Sequence, residues 1–115
     1  MNEQQIQHKI IKYLESNGYY VVKIIAANKS GVPDVIAAKD GKVIFIEVKT
    51  LIGKLSPLQK YNIKKIQKCG NRAIVVHSAV ELYTQLLTEP KQRLIFPQQT
   101  IKTKAKGIKA LRNDV

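Results

Sequence analysis

The sequence predicts one α/β domain in which helices flank a mixed β-sheet, and three observations predict it. Hydrophobic periodicity alternates along the chain: a helical repeat, three β-rich runs, a second helical repeat, a further β-run and a late helix. Two of the β-runs, 34–39 and 42–50, are apolar on both faces. Ile36, Ala38, Val43 and Phe45 line one face, and Val35, Ala37, Ile44 and Ile46 line the other. Such strands are covered on both sides, which calls for helices over a sheet rather than an open meander. The length of 115 residues suits a single domain, and a hydrophobic content of 44% suffices for a core.

Residues Asn2 to Asn17 read as an amphipathic helix. Ile6, Ile10, Tyr13 and Leu14 recur at i, i+4, i+7 and i+8, and Gly18 follows as a stop. Glu3 lies two turns before Ile10, on the apolar face. An acid there also favours the helix dipole, so for a lone Glu the two readings are even. Its inward orientation, at the end of a helix that packs on the sheet, tips the balance to a metal-site role. Tyr19 to Ala27 reads as the first strand and Asn28-Lys29-Ser30-Gly31 as a turn.

Asp40-Gly41 is a hairpin signal between the next two runs. With a two-residue loop, Lys39 pairs with Lys42 and paired positions sum to 81. Asp34 then lies opposite Glu47, with Cβ atoms roughly 4.5–5.5 Å apart on one face. Lys49 shares that face. Two carboxylates so close repel unless a cation sits between them or one holds a proton. Hard oxygen ligands of this kind suit Mg²⁺ or Mn²⁺.

Ser56-Pro57-Leu58-Gln59 opens a second helix, with Ser at the N-cap, Pro at N1 and Gln at N3, and Gly70 ends it. Leu58, Asn62, Ile63, Ile66 and Cys69 fall on one face with Gln59, and Lys60, Lys64 and Lys68 on the opposite one. Cys69 is expected in the core. Arg72 to His77 reads as a fourth strand, and Ser78-Ala79-Val80-Glu81 as a capping box opening a helix to about Leu87. These elements make a core over residues 1–89 and a basic extension over 90–115. From Pro90 onward there are seven basic residues and one acid, a net of +6 out of +12. Leu94-Ile95-Phe96 has the pattern of an edge strand, and Lys102, Lys104, Lys106, Lys109 and Arg112 form a basic tail.

Twenty Lys and Arg against eight Asp and Glu make a polyanion the expected partner. No apolar run reaches the length of a membrane span, and the first residues lack a signal-peptide pattern. The single cysteine excludes an internal disulfide and a cysteine-based zinc cluster, which fits a reducing cytoplasm. His8 falls on the outer face of its helix and His77 ends a strand, and each serine has a turn or cap role. No nucleophilic triad is visible.

Gly31-Val32-Pro33-Asp34 followed by Glu47-Val48-Lys49, with Glu3 before and Leu55-Ser56-Pro57-Leu58-Gln59 after, resembles the VRR-NUC (virus-type replication-repair nuclease) family. This is a PD-(D/E)XK family, and the resemblance, to its small stand-alone phage and bacterial form, runs from about Glu3 to Leu87. The archaeal Holliday-junction resolvases share the fold and the acidic core and rank second. The resemblance implies a restriction-endonuclease-like α/β sandwich and a Mg²⁺- or Mn²⁺-dependent endodeoxyribonuclease. It also implies a homodimer acting on branched DNA such as Holliday junctions. Asp34, Glu47 and the backbone carbonyl of Val48 would bind the metal, and Glu3 would do so directly or through water. Lys49 would hold the attacking water or steady the phosphate. A lysine beside two carboxylates stays charged unless strongly desolvated, which favours electrostatics over a free-base role. Gln59 would orient Lys49 or contact a phosphate. Lys54, Lys60, Lys64 and Lys68, with Lys104 and Lys106 of the tail, would contact DNA. The competing class is a non-catalytic DNA-binding module on the same fold. The intact Asp34, Glu47 and Lys49 speak against it, since nothing structural requires opposed acids.

Overall fold

A computed structural model describes residues 1–88 of the chain. Helix α1 (Glu3–Ser16) begins with a reciprocal cap: Asn2 Oδ1 accepts from Gln5 N at 2.8 Å, and Gln5 Oε1 accepts from Asn2 N at 2.9 Å. Two amide donors that a helix start leaves without partners are thereby satisfied. Strands β1 (Tyr20–Lys23), β2 (Val35–Lys39), β3 (Lys42–Val48) and β4 (Arg72–Val76) form one sheet in the order β1-β2-β3-β4. The first two pairings are antiparallel and β3 with β4 is parallel. Helix α2 (Pro57–Lys68) makes the crossover that a parallel pair requires, and α3 (Ala79–Leu87) follows β4.

The hairpin has the expected register. Asp40 (φ 53°) and Gly41 (φ 76°) both adopt positive φ, the geometry of a two-residue type I′ turn. Pairing runs from Lys39 with Lys42 to Val35 with Ile46, and one further step sets Asp34 across from Glu47. Strand β1 is shorter than the run Tyr19 to Ala27 suggests. Its partner begins at Val35, opposite Lys23, and Ile24 N–H donates to Asp34 O at 2.8 Å as the last rung. Beyond it the apolar residues have no strand to pair with, and Ile25 is 89% exposed.

The two faces of the sheet are not covered equally. Val35, Ala37, Ile44, Ile46, Val48 and Val76 are sealed under Ile6, Ile10 and Leu14 of α1 and Leu82 of α3. Tyr13 and Tyr83 join those two helices edge to face at 6.4 Å. On the opposite face α2 leaves Ile36 and Phe45 half-buried, and Val43 is 38% exposed. The expectation of two covered faces holds for one, because a single short helix cannot span the width of the sheet.

Helix α2 turns Asn62 and Ile63 fully inward and Ile66 partly. Leu58 is instead 52% exposed, and Cys69, expected in the core, is exposed at the C-cap, past the last shielded residue. At α3 only half of the expected capping box forms. Ser78 Oγ accepts from Glu81 N at 3.0 Å, but the Glu81 carboxylate turns to His77, accepting from its backbone N–H and lying 2.8 Å from Nδ1. The expected strand at Leu94-Ile95-Phe96 and the basic tail, with Lys104 and Lys106, lie outside the described residues.

Candidate active site

Asp34 ends a loop that α2 holds from outside the sheet. Gly31 has φ +80°, and a Cβ there would lie 2.9 Å from the backbone carbon of Leu58. Only glycine allows both that backbone conformation and that approach. Asn62 Nδ2 donates to Ser30 O at 2.9 Å and to Leu58 O at 2.9 Å, pinning the loop to the first turn of α2. Pro33 is fully buried. The Gly31-Val32-Pro33-Asp34 segment is thus fixed at both ends, and Asp34 Oδ2 accepts from Val48 N–H at 3.0 Å across the hairpin.

Glu47 is 1% exposed, one residue before the end of β3. Its Oε2 accepts from Gln59 Nε2 at 3.2 Å and lies 3.6 Å from Lys49 Nζ. Its Oε1 is, among the described residues, the one buried side-chain polar atom without a hydrogen-bond partner. Burial pushes the Glu47 carboxyl up to about 7, and the neighbouring Asp34 pushes the same way. Lys49 pulls it back down, while Glu3 adds to the rise. Buried polar atoms are almost always paired, so an orphaned carboxylate oxygen beside a second carboxylate calls for a cause. The chemistry fits a hard divalent cation: two carboxylates, one with a free oxygen, and a backbone carbonyl within the same strand segment.

Gln59 fills one expected use, the capping box, and adds a contact that was not expected. Its Oε1 accepts from Ser56 N at 2.9 Å while Ser56 Oγ accepts from Gln59 N at 3.1 Å, closing the capping box. The same amide donates its Nε2–H to Glu47, and its Oε1, the atom that could accept from Lys49, is taken by the cap. Lys49 is part-buried, with a side chain 13% exposed, and its N–H donates to Val76 O at 3.0 Å. Asp34, Glu47, Lys49 and Gln59 are therefore drawn together. Glu3, partly buried at the first turn of α1, acts on Glu47 through its field only. Among the described residues no three His, Cys, Asp or Glu side chains approach closely enough to hold an ion unaided. Lys54, Lys60, Lys64 and Lys68 are all exposed. His8 is exposed as well, and His77 is bound to Glu81.

Sequence reasoning gave Asn62 no role beyond its helix face, and it did not single out Gln7, buried one turn beyond Glu3 on α1. The signal for Asn62 was a polar side chain at i+4 from Leu58 on the inward face. Its partner, Ser30 O, lies 32 residues away and is invisible to periodicity.

The VRR-NUC domain family profile matches residues 21–80, which hold Asp34, Glu47, Lys49 and Gln59. A solved structure named as a VRR-NUC domain superimposes with a TM-score of 0.68 at 26% identity, covering 76% of this chain and 97% of its own. A second, named as a VRR-NUC domain protein, gives a TM-score of 0.65 over 76% of this chain and 86% of its own. At 20% identity, that second likeness concerns the fold alone. A UPF0102 protein of Thermotoga petrophila is 28% identical over 73 residues, 64% of this chain and 68% of its own length. One from Ehrlichia chaffeensis is 36% identical over 75 residues, 64% of this chain and 62% of its own.

Proposed function

This chain belongs to the VRR-NUC domain family, and on that premise we propose that it is a divalent-metal-dependent DNA endonuclease acting on branched DNA as a homodimer. The observation that carries the reading is Glu47: a buried carboxylate opposed to Asp34, with one oxygen held by Gln59 and Lys49 and the other unpartnered. A carboxylate placed there for stability alone would have both oxygens satisfied or would be replaced by an apolar residue.

Asp34 and Glu47, with the Val48 carbonyl, would hold Mg²⁺ or Mn²⁺, and Glu3 would contribute directly or through water. When bound, such a cation lowers the pKa of its water and offsets the charge gathering on the phosphate. The hydrogen bond from Val48 N–H engages Asp34 Oδ2, so Oδ1 would be the oxygen offered to the ion. Gln59 fixes the rotamer of Glu47 from the end of α2, so it is a positioning residue. Lys49, partly open to solvent and 3.6 Å from Glu47, brings an ammonium to the developing phosphate charge. A net charge of +12 supplies the attraction for the polyanion.

The test is incubation of the full chain with labelled four-way junction, flap and linear duplex, in Mg²⁺ or in EDTA. The reading expects junction cleavage in Mg²⁺ alone, and none by the Glu47→Ala protein. Cleavage in EDTA, or an active Glu47→Ala protein, would sink it. Binding without cleavage under every metal condition would leave a DNA-binding module in place of an enzyme.

A further inference from the structure

Lys49 is followed at once by a tight turn with an apolar tip. Gly53 N–H donates to Thr50 O at 3.0 Å, so Leu51 and Ile52 occupy its two central positions. They are 86% and 89% exposed. A Cβ on Gly53 would lie 3.1 Å from Thr50 Oγ1 and 3.5 Å from Lys49 Cδ. The last residue of the turn therefore lies beside the stem of Lys49, which keeps the tip near the cluster.

Single exposed aliphatic residues are ordinary. Two in succession at the apex of a hydrogen-bonded turn, bracketed by Lys49 and exposed Lys54, are less so. The surroundings favour nucleic acid over a protein face. The turn leaves the same end of the sheet as Asp34 and Glu47, because β2 begins where β3 ends. The loop after β1, with exposed Ile25, leaves that end too. Lys49 and Lys54 flank the tip in a chain of net charge +12. Aliphatic wedges of this kind enter base stacks while flanking cations hold the phosphates. Unstacking costs least where the stack is already broken.

We propose that the Leu51–Ile52 turn is a stacking wedge that packs against the base pair exposed at a DNA branch. The wedge sets which phosphate reaches Lys49. The inference rests on the nuclease reading of the same site and adds to it the feature by which branched DNA is told from linear duplex.

The experiment uses the full chain in EDTA with a four-way junction and a linear duplex. Each carries 2-aminopurine, at the branch or at the matching linear position. Wild-type protein should raise the junction probe's emission on binding and leave the linear probe nearly unchanged. The variant Leu51→Ser/Ile52→Ser alters only exposed side chains. It should bind linear duplex as before but lose the emission change, and lose about tenfold in junction affinity, the scale of one stacking contact. Leu51→Met/Ile52→Leu, which keeps the apolar bulk, should retain both. A wild-type protein that binds the junction in EDTA with a silent probe, and cuts the same junction in Mg²⁺, overturns the wedge and leaves the nuclease reading intact. So does a serine variant that keeps the emission change. A wild-type dimer that the serine variant dissociates assigns the tip to a second copy of the chain and overturns the wedge as well. If no DNA is bound or cut under any condition, both readings fall.

Discussion

Glu47 carries a conflict between stability and chemistry that can be measured. Its carboxyl is raised from 4.5 to about 7, first by burial and then by Asp34, against the pull of Lys49. The folded protein therefore binds this proton more tightly than the unfolded chain does. The associated stability is full below the ordinary value and is lost as pH rises from there through about 7. The loss is at most about 3 kcal/mol for a shift of this size. Thermal melts in EDTA should show a falling midpoint between pH 5 and 8, and Mg²⁺ should restore much of it at pH 8. Glu47→Gln should melt higher than wild type in EDTA at pH 8, and should show neither the pH slope nor the metal response. A wild-type midpoint that rises across that range would contradict the assignment. For activity, alanine at Asp34, Glu47 or Lys49 should cost about two to three powers of ten in single-turnover rate. Gln59→Ala should cost less, because the capping box and the Glu47 contact are supports rather than the reacting groups.

At the scale of elements, the loop of residues 28–34 and the N-terminus of α2 act as one unit. Gly31 sits against Leu58 with no room for a methyl group, and Asn62 ties Ser30 to the same turn. Gly31→Ala must shift either the loop or the helix, in a backbone conformation that alanine adopts poorly. It should cost about 1–3 kcal/mol in denaturant unfolding. Both Asp34 and Gln59 hang from this junction, so cleavage should fall further than stability predicts. That excess is the informative readout: Gly31→Ala with normal activity would mean that the clamp does not position Asp34. Ser56→Ala at the N-cap of α2 should show a milder form of the same effect, near 1 kcal/mol.

For the whole molecule, charge and symmetry make separate predictions. Lys60, Lys64 and Lys68 present an exposed stripe along α2. If they contact phosphates, log affinity for DNA falls steeply with log salt, and each contact removed flattens the slope by about 0.9. The triple Lys→Gln variant and a chain lacking residues 98–115 measure the stripe and the tail independently. An unchanged slope removes the segment concerned from the interface. One domain carries one site, so paired incisions in a junction call for two copies related by a two-fold axis. Light scattering at micromolar concentration, with and without junction DNA, should report a dimer, and a monomer in both conditions would exclude the arrangement.

The hairpin register, the helix starts and the acid pair were legible in the sequence because each rests on local rules. A two-residue Asp-Gly turn and period-two alternation place Asp34 opposite Glu47 with no knowledge of the rest of the fold. Ser-Pro-x-Gln likewise announces a helix by its caps. The tertiary structure decided what depends on where helices land on the sheet. It ended β1 at Lys23, where the partner strand runs out, and left Leu58 and Cys69 in solvent. It aimed Gln59 at Glu47 rather than Lys49, and it set Asn62 to hold Ser30 across 32 residues. It also kept Glu3 at the range of its field and left Glu47 Oε1 without a partner. Periodicity tells which side of an element faces inward. Which atom meets which is set by the packing of distant segments, and the chemistry of this site depends on those atoms.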